Sequence, residues 1–326
     1  MLQACGKAAW VATRWVAAAA TPDQAKRTAR RPDTVRRWSF MEKNRCKICG
    51  SSSLHIFAHT ATCGECDVLL YYPYPEDDST LLSSGTGKSW PRERVLDWYS
   101  QSSFYNHTNF TNMVRFAMDE SYKGKKLDIL DYGGGGGQFA LVCKSHFPES
   151  NIYITDISDE SLLEEWSALN IQIPFKGFID DNKKFDLIFL KDVFEHLSDP
   201  LFVLKILSEK LKIDGKLFID TPKQFWLYTV TKVISKPLYS KVLRGTVSKE
   251  HLQIWSKKSF ELTVKESKLN IVKYAELSEY TMPAEFYMKN MGIRNTLLKL
   301  VGLIFYSNAR WLAKNKIVCV LSRHTA

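Results

Sequence analysis

Five consecutive glycines follow a short apolar run in Leu130-Asp-Tyr-Gly-Gly-Gly-Gly-Gly-Gln-Phe-Ala140, and no other stretch of the chain limits its fold so strongly. The run Leu127-Asp-Ile-Leu130 reads as a buried strand, and Gln138 to Phe147 has helical character up to Pro148. A tight turn must join them, and glycine takes up positive φ there without strain. Gly133, Gly135 and Gly137 form a G-x-G-x-G pattern. A Cβ at such positions would hold a nucleotide-like ligand away from the backbone. Asp156 ends the next apolar run, Ile152-Tyr-Ile-Thr-Asp156, where a carboxylate can accept both ribose hydroxyls. Strand, turn, helix and acid in that order predict an adenosine-containing ligand. Gly135-x-Gly-x-x-Ala140 also satisfies a nicotinamide dinucleotide fingerprint, so the turn does not choose the cofactor. A glycine loop that is merely flexible is the plain alternative. Gly85-Thr-Gly-Lys-Ser89 is not a phosphate loop, because Leu82 stands where its first glycine would be needed.

The alternation continues beyond the turn. A helix is expected over Asp159 to Asn170, capped by Ser158 or Asp159, and a buried strand at Phe185-Asp-Leu-Ile-Phe-Leu190. Pro200 to Leu211 reads as a helix closed by Asp214-Gly215, with a strand at Lys216-Leu-Phe-Ile219. After a basic and aromatic stretch from Gln224 to Lys249 come a helix near Ser259 to Ser267 and a strand at Ile271-Val-Lys-Tyr274. A helical segment from Asn295 to Ala313 leads to a last strand, Lys316 to Leu321. This order predicts an α/β fold, a mostly parallel sheet with helices on both faces and ligands at the carboxyl ends of its strands. Two late strands suit a seven-stranded sheet better than a simple dinucleotide fold.

Cys46-Lys-Ile-Cys49 and Cys63-Gly-Glu-Cys66 are two knuckles, each able to offer two thiolates to one tetrahedral Zn²⁺. A redox pair would want a thioredoxin-like context, which is missing. Cys5, Cys143 and Cys319 are scattered, so the seven cysteines point to a metal in a reducing compartment rather than to a disulfide framework. The expected organisation is a leader over residues 1–40, a zinc ribbon over 41–76, a helical connector or lid over 77–120 and the large α/β domain over 121–326.

The formal net charge of +10 divides unevenly, because residues 1–40 hold eight Lys or Arg against Asp23 and Asp33. The remaining excess is small and reads first as surface solvation, with an anionic small-molecule substrate the next reading and nucleic acid a weaker one. The Ala- and Arg-rich leader is read as a disordered or non-native extension, with Met41 as a natural start; as a transit peptide it would direct the chain to an organelle. No apolar run is long enough for a membrane-spanning helix, and a cytoplasmic location is expected.

Leu-Asp-x-Gly-x-Gly-x-Gly, a strand ending in Asp156, Phe185-Asp-Leu-Ile-Phe-Leu-Lys-Asp-Val-Phe-Glu-His-Leu-Ser-Asp-Pro200 and Asp214-Gly-Lys-Leu-Phe-Ile-Asp-Thr-Pro222 together resemble class I S-adenosylmethionine-dependent methyltransferases. The resemblance spans residues 127 to about 275 and implies a Rossmann-like seven-stranded methyltransferase sheet. It implies that Asp131 and Gly133 flank the methionine moiety of the cofactor, that Asp156 holds its ribose, and that Gly135, Gly137 and Ile157 also belong to the cofactor site. Phe178 and Ile179 would border the adenine, and Leu190, Lys191 and Asp192 would line the site. Many relatives carry Asp in place of Phe178. The two knuckles followed by Tyr72-Pro-Tyr-Pro75 are similar to a group that includes sugar-nucleotide C-methyltransferases, in which the front module shapes the substrate entrance. Within these 326 residues no counterpart of their additional C-terminal domain is expected.

Methyl transfer from a sulfonium needs alignment, exclusion of water and, where the acceptor must lose a proton, a base. His251, beside Glu250 in Lys249-Glu-His-Leu-Gln-Ile-Trp255, resembles the base of the sugar C-methyltransferases, although Ser248 replaces a tyrosine. His196 is the second candidate, and the bland reading of Glu195-His196 is that the pair fixes a loop. Asp192, Glu195 and His196 resemble the set that holds a divalent ion in ubiquinone-pathway O-methyltransferases. The basic stretch with Lys232, Lys236 and Lys241 is read as a lid, with phosphate recognition or a membrane surface as alternatives. The expected function is methyl transfer to C or O of a sugar nucleotide or glycan precursor. The alternatives are a metal-assisted O-methyltransferase of a quinone-like metabolite and a non-catalytic zinc-ribbon binding protein.

Overall fold

The computed structural model describes residues 45–57, 59–75, 92–156, 171–172, 182–224, 251–279, 296–308 and 314–324. The first three strands are β1 (Leu54–Phe57), β2 (Thr60–Cys63) and β3 (Leu69–Tyr71). Helix α1 (Arg92–Ala117) leads to β4 (Asp128–Tyr132), α2 (Gln138–His146), β5 (Asn151–Thr155) and the short β6 (Ile171–Gln172). Then come β7 (Phe185–Lys191), α3 (Pro200–Lys210) and β8 (Leu211–Pro222). The chain continues with β9 (Gln253–Ile254), α4 (Lys257–Glu266), β10 (Leu269–Leu277), α5 (Thr296–Asn308) and β11 (Lys316–Arg323).

Seven strands form the large sheet in the order β10-β11-β8-β7-β4-β5-β6. Pairing is parallel from β8 through β6, whereas β11 runs antiparallel to both β8 and β10. This is the expected α/β, Rossmann-like methyltransferase sheet. Its central strand β7 is buried on both faces, which is why Phe185-Asp-Leu-Ile-Phe-Leu190 is apolar almost without alternation. Leu187 and Phe189 pack with Phe139, Val114 and Val142 on the side of α1 and α2. Ile188 and Leu190 pack with Leu204, Leu207, Phe260 and Val264 on the side of α3 and α4. Helices therefore cover both faces.

Asp199 caps α3, its side chain accepting from the Phe202 amide, and Pro200 opens the helix where a missing N–H costs nothing. Ser256 and Ser259 close a reciprocal capping box at the start of α4. One sequence expectation needs correction. Asp214-Gly215 does not close α3, which ends at Lys210 and passes directly into β8. Gly215 instead serves a register shift between β7 and β8, where a Cβ would stand 2.8 Å from the Phe185 carbonyl oxygen.

A second, four-stranded sheet has the order β1-β2-β3-β9. Its fourth strand comes from residues 253–254, far along the chain, so the cysteine-bearing module and the large domain share this sheet. The leader, residues 76–91, the expected helix over 159–170 and residues 225–250 lie outside the described residues.

Candidate active site

The carboxyl ends of β4, β5, β7 and β8 converge on one edge of the large sheet. At the end of β4 the glycine turn is built as the sequence demands: Gly133, Gly135 and Gly137 have φ of 76°, 55° and 85°. The amides of Gly133 and Gly134 donate to the Thr155 carbonyl, and the Gly135 amide donates to Asp156 Oδ2 at 2.8 Å. The turn is thus tied to the acid at the end of β5. Its glycines differ in what surrounds them. A Cβ at Gly133 would meet Val193 Cγ2 at 2.6 Å, and one at Gly134 would meet Asp131 Oδ2 at 2.6 Å, whereas at Gly135 nothing lies within 4 Å. Gly135 is therefore where a ligand can lie against bare backbone.

Asp131 is buried beneath this turn, and its Oδ2 has no hydrogen-bond partner among the described residues. Burial, reinforced by the charge of Asp156, raises its carboxyl to about 7. An orphaned carboxylate oxygen beside an open glycine backbone suits a ligand that brings a cationic donor, as an amino-acid moiety does. Asp156 is also buried. Leu190 is fully buried within the apolar core. Ile157, Phe178, Ile179 and Glu250 lie outside the described residues, as do Lys232, Lys236 and Lys241.

Lys191 and Asp192 end β7 in a charged cluster. Asp192 has φ of 51° and pairs with both Lys191 and Lys316, while Lys316 also reaches Asp220 at 3.0 Å and Lys191 reaches Glu279 at 3.4 Å. Burial opposes the charge on Asp192, but the two ammonium groups hold its carboxyl well below the usual range. Burial raises Asp220 well above its ordinary value, with Glu279 adding to the effect. The cations at this edge are thus already matched by carboxylates.

The next turn carries the histidines. Glu195 and His196 form a buried 3-10 turn with Phe194, and the His251 ring lies 4.8 Å from that of His196, edge to face. His196 Nε2 stands 3.5 Å from Glu195 Oε1, and Thr221 Oγ1 donates to Glu195 Oε2 at 3.0 Å. Burial, with the charge of His196, lowers the His251 imidazole to about 4 and so keeps it neutral near pH 7. Burial alone would raise Glu195, but the facing His196 holds it below its ordinary value. Glu195, His196 and His251 offer donor atoms that all lie within 4.8 Å of one another, a spacing a metal ion could use. The converging set therefore differs from the expected one: His251 replaces Asp192, which the two lysines hold.

What sequence reasoning missed is the clamp that brings the histidines together. Gln253, fully buried, donates from Nε2 to the carbonyls of Phe194 and Leu197 at 2.9 and 3.0 Å, and its Oε1 accepts from the Tyr74 hydroxyl at 2.7 Å. The Leu252 amide donates to the Glu195 carbonyl, and the Tyr71 amide to the Leu252 carbonyl. Tyr74 belongs to the Tyr72-Pro-Tyr-Pro75 stretch that stood out in the sequence without a role.

The four knuckle cysteines gather in the small module, with Cys46 Sγ and Cys66 Sγ 3.6 Å apart and Cys49 Sγ and Cys63 Sγ 3.5 Å apart. A tetrahedron of thiolates about 2.3 Å from a metal has edges of about 3.8 Å, so the set fits one such ion. Four thiols this close cannot ionise independently. The hydrogen bond from Cys66 lowers Cys46 to about 5, and burial raises Cys49 to about 11. Ser256 Oγ donates to the Cys66 carbonyl at 2.8 Å, joining the knuckle to the cap of α4.

Residues 102–274, just over half of the chain, match the family model described as a methyltransferase domain. The ubiquinone biosynthesis O-methyltransferase of Coxiella burnetii (strain Dugway 5J108-111) is 27% identical over 164 residues, covering 46% of this chain and 68% of that protein. The protein of the same name from Glaesserella parasuis serovar 5 (strain SH0165) is 29% identical over 143 residues, 38% of this chain and 58% of that one. Among solved structures, coclaurine N-methyltransferase bound to N-methylheliamine and SAH is similar with a TM-score of 0.46 and 15% identity, over 66% of this chain and 70% of that one.

Proposed function

The chain belongs to the methyltransferase-domain family, and on that premise we propose that it transfers a methyl group from S-adenosylmethionine to C or O of a small-molecule acceptor held at the histidine pair. That it is an S-adenosylmethionine-dependent methyltransferase follows from the family. The acceptor, the site residues and the zinc are the proposal. The observation that carries it is the junction of the two halves of the site, because Gly133 closes directly on Val193, three residues before His196.

Asp131 and the open backbone at Gly135 would hold the methionine end of the cofactor, and Asp156 its ribose. When bound, the cofactor supplies an electrophilic methyl group on a sulfonium. His251 is the partly exposed member of the histidine pair, whereas His196 is buried. His251 acts as the base toward the acceptor, its imidazole neutral near pH 7. Glu195, fixed by Thr221, and His196 orient it. A sugar nucleotide or glycan precursor remains the acceptor class favoured, and the placement of the cysteine module supports it. Tyr74 reaches the carbonyls of Leu197 and Ser198, so the module borders the acceptor side of the site. The four cysteines hold Zn²⁺ as a structural ion.

Isothermal titration of the zinc-loaded protein with S-adenosylhomocysteine tests the cofactor site, and absence of binding refutes it. With labelled cofactor and a panel of acceptors, His251→Ala should abolish turnover and leave cofactor affinity nearly unchanged; undiminished turnover removes His251 from the mechanism.

The convergence of Glu195, His196 and His251 favours a second reading, a divalent ion at those three residues that aids O-methylation of a quinone-like acceptor. The curated relatives named for ubiquinone biosynthesis lend it weight. Turnover that requires added Mg²⁺ or Mn²⁺ while the cysteine-bound zinc stays in place selects this reading over the base mechanism.

A further inference from the structure

Helix α5 turns an apolar stripe to solvent. Leu297, Leu300, Val301 and Ile304 are 68%, 53%, 54% and 54% exposed. Their spacing sets them on one arc of about 100°. Single exposed leucines are ordinary, but four large apolar side chains on one face mark an interaction surface.

The charges that flank the helix in the sequence say what covers it. Between Glu285 and the start of β11 there is no acidic residue, while Lys289, Arg294, Lys299, Arg310 and Lys314 are all cations. Lys299 lies within α5 and is exposed. A second copy of the chain would bring the same cations to this face. The leader would add its own excess, eight Lys or Arg against two acids. Both meet like charge. An anionic lipid surface meets opposite charge at the flanks and accepts the apolar stripe. No helix among the described residues is long and apolar enough to cross a membrane, so the contact is peripheral.

We infer that α5 docks this protein on an anionic lipid surface, with Leu297, Leu300, Val301 and Ile304 at the boundary between headgroups and acyl chains. The placement has a consequence for the site. Strand β11 begins at Lys316, which pairs with Asp192 and Asp220 at the carboxyl edge of the sheet. Seven residues separate it from Asn308 at the end of α5, eight Cα-to-Cα steps and a reach of at most about 28 Å. A docked helix thus keeps the carboxyl edge of the sheet within reach of the headgroups and, within the proposed acceptor class, favours a lipid-linked glycan precursor over a free sugar nucleotide. That last step rests on the methyltransferase reading of the site, whereas the docking does not.

The test is co-sedimentation of the full, zinc-loaded chain with vesicles of phosphatidylglycerol and phosphatidylcholine, against phosphatidylcholine alone. The parent should sediment with the mixed vesicles, less so as salt rises, and remain in solution with the neutral ones. The double variant Leu300→Glu/Ile304→Glu should lower partitioning at least about tenfold with unchanged S-adenosylhomocysteine affinity. Leu300→Ser/Ile304→Ser is the substitute if the charged variant fails to fold. Three results overturn the inference. One is no sedimentation of the parent, or equal sedimentation with neutral vesicles. Another is equal partitioning of variant and parent, which assigns any lipid contact elsewhere. The third is a dimer by light scattering that either variant converts to monomer without any vesicle binding. Failure of the parent to bind S-adenosylhomocysteine would strike the cofactor reading and leave the sedimentation result standing.

Discussion

Replacing Gln253 by leucine keeps the volume of a fully buried side chain and removes every hydrogen bond it makes. The Phe194 carbonyl loses its 2.9 Å donor outright. The Leu197 carbonyl loses a 3.0 Å donor but keeps the Tyr74 hydroxyl at 3.3 Å. The Tyr74 hydroxyl in turn loses its 2.7 Å acceptor and keeps its longer contacts. A buried group left without a partner costs about 1–3 kcal/mol, so one whole loss and two partial ones amount to about 3 kcal/mol. Tyr74→Phe deprives Gln253 Oε1 of its 2.7 Å donor and the Leu197 and Ser198 carbonyls of a longer contact, and should cost about 1–2 kcal/mol. Because the two residues share one bond, Tyr74→Phe/Gln253→Leu should cost less than the sum of the two single losses, a departure from additivity of about 1 kcal/mol. Equilibrium urea unfolding of the zinc-loaded proteins measures all three, with S-adenosylhomocysteine affinity reporting whether the glycine turn survives. A Gln253→Leu protein within about 0.5 kcal/mol of the parent, or strictly additive losses, would refute the clamp.

The two outer roles of the glycine turn separate by substitution. Gly133→Ala combines φ of 76° with a 2.6 Å approach to Val193 and should destabilise the fold, by about 1–2 kcal/mol for the left-handed conformation and about 1–3 kcal/mol for the overlap. Gly135→Ala meets open space, so its stability loss should be the smaller and its loss of S-adenosylhomocysteine affinity the larger; denaturation and calorimetry showing the reverse order would reject the ligand position. Asp131, raised to about 7 by burial and by Asp156, must ionise to pair with an ammonium group, so S-adenosylhomocysteine should bind more tightly as pH rises from 6 to 8 and release a proton on binding. Asp131→Asn should flatten that dependence in titrations run in buffers of different ionisation enthalpy, and an unchanged slope would exclude Asp131 as its source. Elemental analysis should give one zinc per chain, lost in Cys46→Ser, and removal of the ion should lower the unfolding midpoint markedly because its binding energy is folding energy; a midpoint indifferent to chelator would deny the ion a structural role.

Much of the large sheet was legible because its signals are local. Phe185 to Leu190 is apolar because both faces of β7 are covered, and the glycines lie where positive φ is required. The end of α3 was misread because Asp214-Gly215 has the composition of a helix stop while its task is a register shift against Phe185, a partner distant in sequence. His196 and His251 were both found as single candidates, but their meeting depends on Gln253 and Tyr74, residues 179 positions apart with no periodicity to join them. Asp192 was grouped with Glu195 and His196 by a resemblance to ubiquinone-pathway O-methyltransferases, and in the structure it pairs with Lys191 and with Lys316, which arrives from the last strand.

Strand β9 belongs by sequence to one unit and by hydrogen bonding to another. A fragment ending near residue 76 would therefore present the outer edge of β3 bare, a template for any passing strand and an invitation to aggregate. A domain begun after residue 76 would lose the cover of the segment that carries His251. Grafting the cysteine module onto a relative, or exchanging it between two of them, thus requires moving residues 251–256 along with it.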